Sequence, residues 1–575
     1  MYSTRNLAVI AFSILLILLS LSFYHGIISP PPLITFTTDE NFIGESGIFL
    51  LFGITPRALE WAALPSTFIA YSMFIFWSGL SLLKNIDSVH SLPDILIFFD
   101  KNAFYYLNHR EEFVIWERWI QLILIGFIIF KTIQFIIHVK HPVLKPELKF
   151  ILTIVCVCCD GIWISTPMIR PEALSGSLFL YIIVRVLFTE KITPKIATSL
   201  LILFIITFAQ RMIFLFFGPF VLGSILINLW PQKIPFKTYL NYFGVVILAL
   251  LAIMPFIITD TFVVLKSFLG GVYTKIYHDK MDTYFNMPFV DNFVQEPINL
   301  IFSFFCILGI WFLIKLHTAK ASVIIFILNF LFILFSSLKA AQLYNSHTFP
   351  LSIMAIIMIT FGIYGLISFL KQKYRVWVLC SLMTILFLNT IWTIQNNKAS
   401  TVSQQQNLAD AIAWVKTLKN NEKVLLSLDF DGFIPKNKLC LFREYKANAS
   451  ETYRMNKLSK LINMPISDSL SKFTLPIFAQ SFAFEDEKLF DMQYQVALKF
   501  VDSDLDKRFD TDYFFENNNN MSHCLTKVEA LNRFREGKYN YLVSKEQLSD
   551  IKPLKHFLKG GGEIFWVYEF KQTMN

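Results

Sequence analysis

Charge is scarce in this chain. Asp, Glu, Lys and Arg make up 16% of its 575 residues, where an ordinary soluble chain carries about a quarter. Set beside 55% hydrophobic residues, with Phe alone numbering 61, that shortage excludes a plain soluble protein and indicates a polytopic membrane protein. It also removes the nucleic-acid reading of the net charge of +9. In a membrane chain the distribution of Lys and Arg among short loops reports orientation instead. No GxGxxG or other nucleotide-binding loop is present. The seven cysteines have no metal-ligand spacing. Cys156, Cys158 and Cys159 lie in an apolar run and read as core or lipid-facing thiols. Cys440 and Cys524 fall in the polar C-terminal part, where they pair only if that part lies outside the cytoplasm. The first apolar stretch lacks a small-x-small cleavage site, so it reads as a retained anchor rather than a signal peptide. No internal repeat is found, which counts against a secondary transporter.

What the chain does have is apolar length. Leu7–Ile28 is long enough to span, and further apolar runs begin near Trp61, Trp119, Phe150, Ala173, Ile196, Met212, Leu240, Ile298, Ala321, Phe349 and Val376. With Leu7–Ile28 running outward and Trp61–Leu83 lying in the outer interface, the inside loops hold Lys140, Lys145 and Lys149; Lys191 and Lys195; Lys233 and Lys237; Lys315 and Lys320; and Lys371, Lys373 and Arg375. The outside turns hold isolated cations such as Arg170, Arg211 and Lys339. This positive-inside pattern requires Ile196–Trp230 to be two spans split at Gln210-Arg211. The expected fold is an α-helical polytopic membrane protein of about eleven spans, with the N-terminus inside. Residues 1–395 form the membrane domain, with a long first outer loop at 29–117. Residues 396–575 form a soluble α/β domain outside, with strand-like pieces at Val424–Leu428 and Tyr539–Val543, a helix-like piece at Asn407–Leu418 and a loop at Asn517–Asn520.

Several polar residues converge on the outer face. Asp39-Glu40 stands about ten residues beyond the first span; such a carboxylate is either solvated or a general base toward an acceptor hydroxyl. Arg57 and Glu60 lie in Thr55–Pro65, as a surface pair or as a phosphate ligand with its orienting acid. Arg170-Pro171-Glu172 is a turn with a solvated pair, or an Arg held by Glu172 at the membrane boundary. Gln210-Arg211 interrupts an apolar stretch, where an unpaired cation costs several kcal/mol; an anionic lipid phosphate is its natural partner. Lys339 and His347 border a polar outer turn and either sit at the interface or reach a phosphate. A divalent metal at His90, Asp94 and His109 with Asp39 is conceivable as chemistry, but no ligand spacing supports it.

The layout resembles the GT-C superfamily of polytopic glycosyltransferases, among them the bacterial relatives of protein O-mannosyltransferases and of the aminoarabinose transferase of lipid A. Asp39-Glu40-Asn41-Phe42 is similar to the acidic opening of their first outer loop. Pro56–Trp61 and the apolar helix after it are similar to their membrane-parallel part, and Arg170-Pro171-Glu172 to an Arg-Pro-acid turn. Asn345–Pro350 stands where relatives have a polar pair before a Pro-containing span. The Lys-Pro-Pro of the aminoarabinose transferase branch is absent, so the resemblance is to the superfamily. It implies an inverting glycosyltransferase, embedded in a bacterial inner membrane with its site on the periplasmic side. The sugar would pass from a polyprenyl-phosphate donor to an unidentified lipid, glycan or protein acceptor. Asp39 would be the base and Glu40 its auxiliary. Arg57, Arg170, Arg211, Lys339 and His347 would receive the phosphate, with Glu60 and Glu172 orienting them. The alternatives are a membrane transporter and a non-catalytic scaffold whose outer domain binds partners.

Overall fold

A computed structural model of the chain describes residues 4–33, 78–84, 110–254 (save 169 and 233), 297–316, 320–339, 345–418, 424–427, 513–517 and 524–570. The described chain is mostly helical. Helix α1 (Thr4–Phe23) continues into a π-helical turn, Tyr24–Ile28. There follow α2 (Arg110–His138), α3 (Pro146–Val157), α4 (Asp160–Ser165), α5 (Pro171–Phe188), α6 (Pro194–Gln210), a 3-10 turn (Met212–Phe217), α7 (Gly218–Leu229) and α8 (Phe236–Ile253). Then come α9 (Pro297–Leu316), α10 (Lys320–Lys339), α11 (Asn345–Ser368) and α12 (Gln372–Val415). Among the described residues six helical stretches are long and apolar enough to cross a membrane: Thr4–Ile28, Val114–His138, Pro146–Ser165, Phe236–Ile253, Leu351–Ser368 and Gln372–Val415. Shorter apolar helices lie at Pro194–Gln210, Phe214–Leu229, Ser303–Leu316 and Ala321–Phe335.

Proline sets several of these starts. It stands at the first turn of α3, α5 and α6, where its missing N–H costs nothing and its fixed φ suits the helix. The stretch Ile196–Trp230 is divided as its cation implied: α6 ends at Gln210, and Arg211 is extended before the 3-10 turn begins. Helix α2 starts at Arg110, two turns before the loop was expected to end.

Helix α5 is the hub. Nearly all of its residues are buried, and it packs against α2, α4, α6, α7, α10 and α11. An apolar sequence on every side suits such a position. Ala173, Ser175 and Ser177 in its first two turns are buried, small enough for neighbouring backbones to approach. Helices α9 and α11 meet still more closely. A Cβ at Gly309 would fall 1.7 Å from the Met358 carbonyl oxygen, and one at Gly362 2.1 Å from that of Phe305.

Helix α12, 44 residues long, runs through position 395 without a break and ends at a six-stranded sheet. The strands are β1 (Val424–Ser427), β2 (Tyr513–Asn517), β3 (Cys524–Thr526), β4 (Tyr541–Ser544), β5 (Lys555–Phe557) and β6 (Phe565–Glu569), with α13 (Lys527–Arg535) after β3. Their order is β3-β2-β1-β4-β6-β5. Only β1 and β4 run parallel, with Leu425 opposite Leu542. Alternation along the strands sorts two faces. Val424, Val543, Phe565 and Val567 pack on Ala411, Ile412 and Val415 of α12. Leu425, Leu542 and Tyr568 pack with Phe534 of α13. The strand-like and helix-like pieces expected at 424–428, 539–543 and 407–418 thus correspond to β1, β4 and the end of α12. Asn517 is the last residue of β2; 518–520 lie outside the described residues, as does Cys440. Cys156, Cys158 and Cys159 are buried free thiols, as a core reading requires. Cys156 and Cys159 stand three positions apart, a CxxC spacing that corrects the reading of no metal-ligand spacing, although among the described residues no group of three His, Cys, Asp or Glu includes them.

Candidate functional site

Two helix ends bring opposite charges together. Glu172 lies in the first turn of α5, and Arg211 caps the C-terminus of the adjacent α6, its N–H bonded to the Thr207 carbonyl. Each sign suits its place, since a helix N-terminus favours an anion and a C-terminus a cation. Arg211 Nη2 lies 3.4 Å from Glu172 Oε1, and Arg170 Nη1 lies 3.9 Å from the same atom. The Glu172 side chain is 4% exposed, against 24% for Arg170 and 14% for Arg211. The carboxylate is therefore interior and the guanidiniums lead outward from it. These are ion contacts, and among the described residues neither Glu172 oxygen accepts a hydrogen bond. Next to Arg211, Gln210 is fully buried, and among the described residues neither polar atom of its amide has a partner. Leaving such a group unsatisfied costs about 1–3 kcal/mol, a cost expected where a ligand or water completes the set.

A polar seam adjoins this group. The Met168 carbonyl accepts from Arg170 N (3.0 Å) and from Gln121 Nε2 of α2 (2.8 Å), while Gln121 Oε1 is buried with no partner among the described residues. The π-helical turn presses on the same segment: a Cβ at Gly26 would lie 2.5 Å from the Pro167 oxygen. Arg118, 1% exposed and one turn before Gln121, donates through Nη1 to the Gly26 carbonyl at 2.7 Å. Lys398 of α12 donates to the Ser29 carbonyl. Both cations thus serve the C-terminal end of the first helix, whose last carbonyls have no helical partner. Further along α12, Thr390 Oγ1 donates to Asp160 Oδ1 at 2.5 Å and Asn389 Nδ2 to Asp160 Oδ2. Asp160 begins α4 where the helix is broken at Cys158-Cys159. The same Thr390 hydroxyl lies 3.3 Å from the Cys158 carbonyl, a group the break frees.

Of the residues expected from sequence, the structure brings together Arg170, Glu172 and Arg211. Lys339 ends α10 and His347 lies in the first turn of α11; their side chains are outside the described residues. Asp39, Glu40, Arg57 and Glu60 also lie outside them, as do His90, Asp94, His109 and the loop 261–296. Among the described residues no three His, Cys, Asp or Glu side chains are grouped to hold a metal ion. Sequence reasoning missed Gln121, Arg118, Asp160 and Lys398. The signal was available for two of them: Arg118 and Asp160 are charges beside or inside apolar runs, and charges in such runs are costly enough to be read as sites by default. Lys398 gave no such signal, because it follows the last apolar run.

The chain was compared with protein-family models and with curated proteins, and it matches neither a family model nor a curated sequence.

Proposed function

We propose that the chain is an inverting glycosyltransferase that moves a sugar from a polyprenyl-phosphate donor to an acceptor at the outer face of a bacterial inner membrane. The observation that carries the reading is the interior Glu172 with Arg170 and Arg211 beside a fully buried Gln210 that has no side-chain partner among the described residues. One carboxylate and two guanidiniums leave one net positive charge at the end of an apolar bundle. That combination suits a lipid-borne phosphate: apolar walls for the chain, a cationic end for the head group.

The chemistry follows from those parts. An acceptor hydroxyl oxygen forms the new bond to the anomeric carbon while the bond from that carbon to the phosphate oxygen breaks. Asp39 takes the hydroxyl proton with Glu40 as its auxiliary. Polyprenyl phosphate departs with the bonding electrons. Arg170 and Arg211 meet the charge that grows on it, with Glu172 fixing their direction and Arg57, Lys339 and His347 as further candidates. No divalent metal is required by this scheme. Counting each long apolar segment once, with α3–α4 as one, gives eleven crossings. It leaves Lys140 and Lys145, Lys191, Lys233, Lys315 and Lys320, and Lys371 in or beside the connections on one side, which supports a soluble C-terminal domain (396–575) on the same outer side as Asp39.

The test is transfer from a defined polyprenyl-phosphate sugar by purified protein in lipid. Asp39→Asn is expected to lower turnover by about a hundred- to ten-thousand-fold while donor binding persists. Normal turnover by Asp39→Asn removes it from the mechanism. The broken helix at Asp160 favours a second reading, a transporter, since transporters use interrupted helices and buried acids. Loss of substrate flux in Asp160→Asn, with no transferase activity in any variant, would select it.

A further inference from the structure

The segment Ser29-Pro30-Pro31-Pro32-Leu33 leads from the first helix into the loop that carries Asp39-Glu40. Three of its residues have no N–H and a φ fixed by the ring. Only two backbone donors remain, and both are used. Ser29 N–H bonds the Tyr24 carbonyl at 2.7 Å, and Leu33 N–H bonds Gln405 Oε1 of α12 at 3.4 Å. At its start the segment is gripped by Lys398 Nζ on the Ser29 carbonyl. At its end the Leu33 side chain, 8% exposed, belongs to the core of the C-terminal domain, with Ala411, Ile412 and Val415 of α12 and Val424, Val543 and Val567 of the sheet. Gln405 and Lys398 are seven positions apart on one helix, two turns, and so lie on one face of it. The same helix that supports the sheet thus holds a stiff strand of the N-terminal region at two points.

We propose that the C-terminal domain takes the base of the first outer loop as part of its own fold, and that Leu33, Gln405 and Lys398 are positioning residues for the acidic pair that follows six residues later in the chain. The domain then needs the N-terminal segment to complete its core, and the loop needs the domain to fix where it starts. The catalytic half of this proposal rests on the transferase reading above; the docking half does not.

The experiment uses full-length protein in lipid nanodiscs, with Leu33→Asp, Gln405→Ala, Lys398→Met and the volume-conserving Leu33→Met. Amide hydrogen exchange is followed by mass spectrometry, beside transfer kinetics. Leu33→Asp is expected to speed exchange at least tenfold in β1, β4 and β6 together with the segment after Ser29, leaving α5, α9 and α11 unchanged. Its kcat should fall at least tenfold with donor KM unaltered, because the cations at Glu172 are untouched. Leu33→Met should restore both properties. Gln405→Ala and Lys398→Met should move exchange and kcat in the same direction by smaller factors, which keeps the test informative if Leu33→Asp does not fold. Unchanged exchange in the strands overturns the docking. Faster exchange with an unchanged kcat overturns the positioning role. If the wild-type protein transfers no sugar, the transferase reading and the catalytic half fall, and the exchange result still decides the docking.

Discussion

Arg211 is set against Glu172 in a way that lets a structural role be separated from the proposed phosphate-binding role. At an effective dielectric of about 20, charges 3.4 Å apart attract by roughly 5 kcal/mol and charges 3.9 Å apart by roughly 4 kcal/mol. Desolvation of a nearly buried carboxylate offsets several kcal/mol of this. Removing one partner therefore costs far more than the net worth of the pair. Arg211→Met leaves Glu172 interior with Arg170 as its remaining described cation, at 3.9 Å, and should destabilise the protein by about 3–5 kcal/mol. Glu172→Gln leaves two guanidiniums together and should also destabilise. The double variant removes the buried charge and its nearest partner at once. Its loss should be smaller than the sum of the single losses by about 1–3 kcal/mol, the range for residues in direct contact. Donor binding should follow a different pattern: weak in Arg211→Met and no better in the double variant, because the phosphate has lost a ligand in both. The assays are reversible SDS unfolding for stability and titration with a short-chain polyprenyl phosphate for binding. Additive losses, within about 0.5 kcal/mol, would refute the coupling. A stable double variant that binds the phosphate as the wild type does would refute Arg211 as a ligand and leave it a structural residue.

Two further outcomes are expected away from the site. Gly309→Ala and Gly362→Ala each insert a methyl into a facing carbonyl oxygen; each should cost about 1–3 kcal/mol or more in SDS unfolding. Gly244→Ala, whose new Cβ meets nothing within 4 Å, should be neutral or slightly stabilising on the helix-propensity scale, and an equal loss there would remove the packing argument. His141 lies in the connection between α2 and α3, edge-on to Phe188, and burial holds its pKa below the usual 6.5, opposed in part by Glu190. A depressed histidine pKa means that the unfolded chain takes the proton first. The contribution of His141 is therefore whole above about pH 6.5 and declines as pH falls below that value, until the folded ring itself protonates. His141→Gln should flatten this part of the pH–stability curve, and an unchanged slope would assign it to another group.

Sequence alone was enough to reveal a mostly helical chain, apolar segments long enough to cross a membrane, and the break at Gln210-Arg211. Apolar runs long enough to span, and a cation too costly to leave in lipid, are local properties that need no knowledge of neighbours. The strands β1 and β4 and the helix at 407–415 were legible for the same reason, since period and residue type are written along the chain. Partnership was not legible. Arg170 and Glu172 are two positions apart, but Arg211 reaches Glu172 only because α5 and α6 pack side by side. Asp160 meets Asn389 and Thr390 across roughly 230 positions, and Leu33 enters a core formed almost entirely by residues after 410. A proline run followed by a leucine reads as an ordinary loop until the sheet that buries the leucine is in place. Chain order fixes which groups exist and at what spacing. Which of them share one interior, and so lose water and need partners, is decided by packing between segments far apart in sequence.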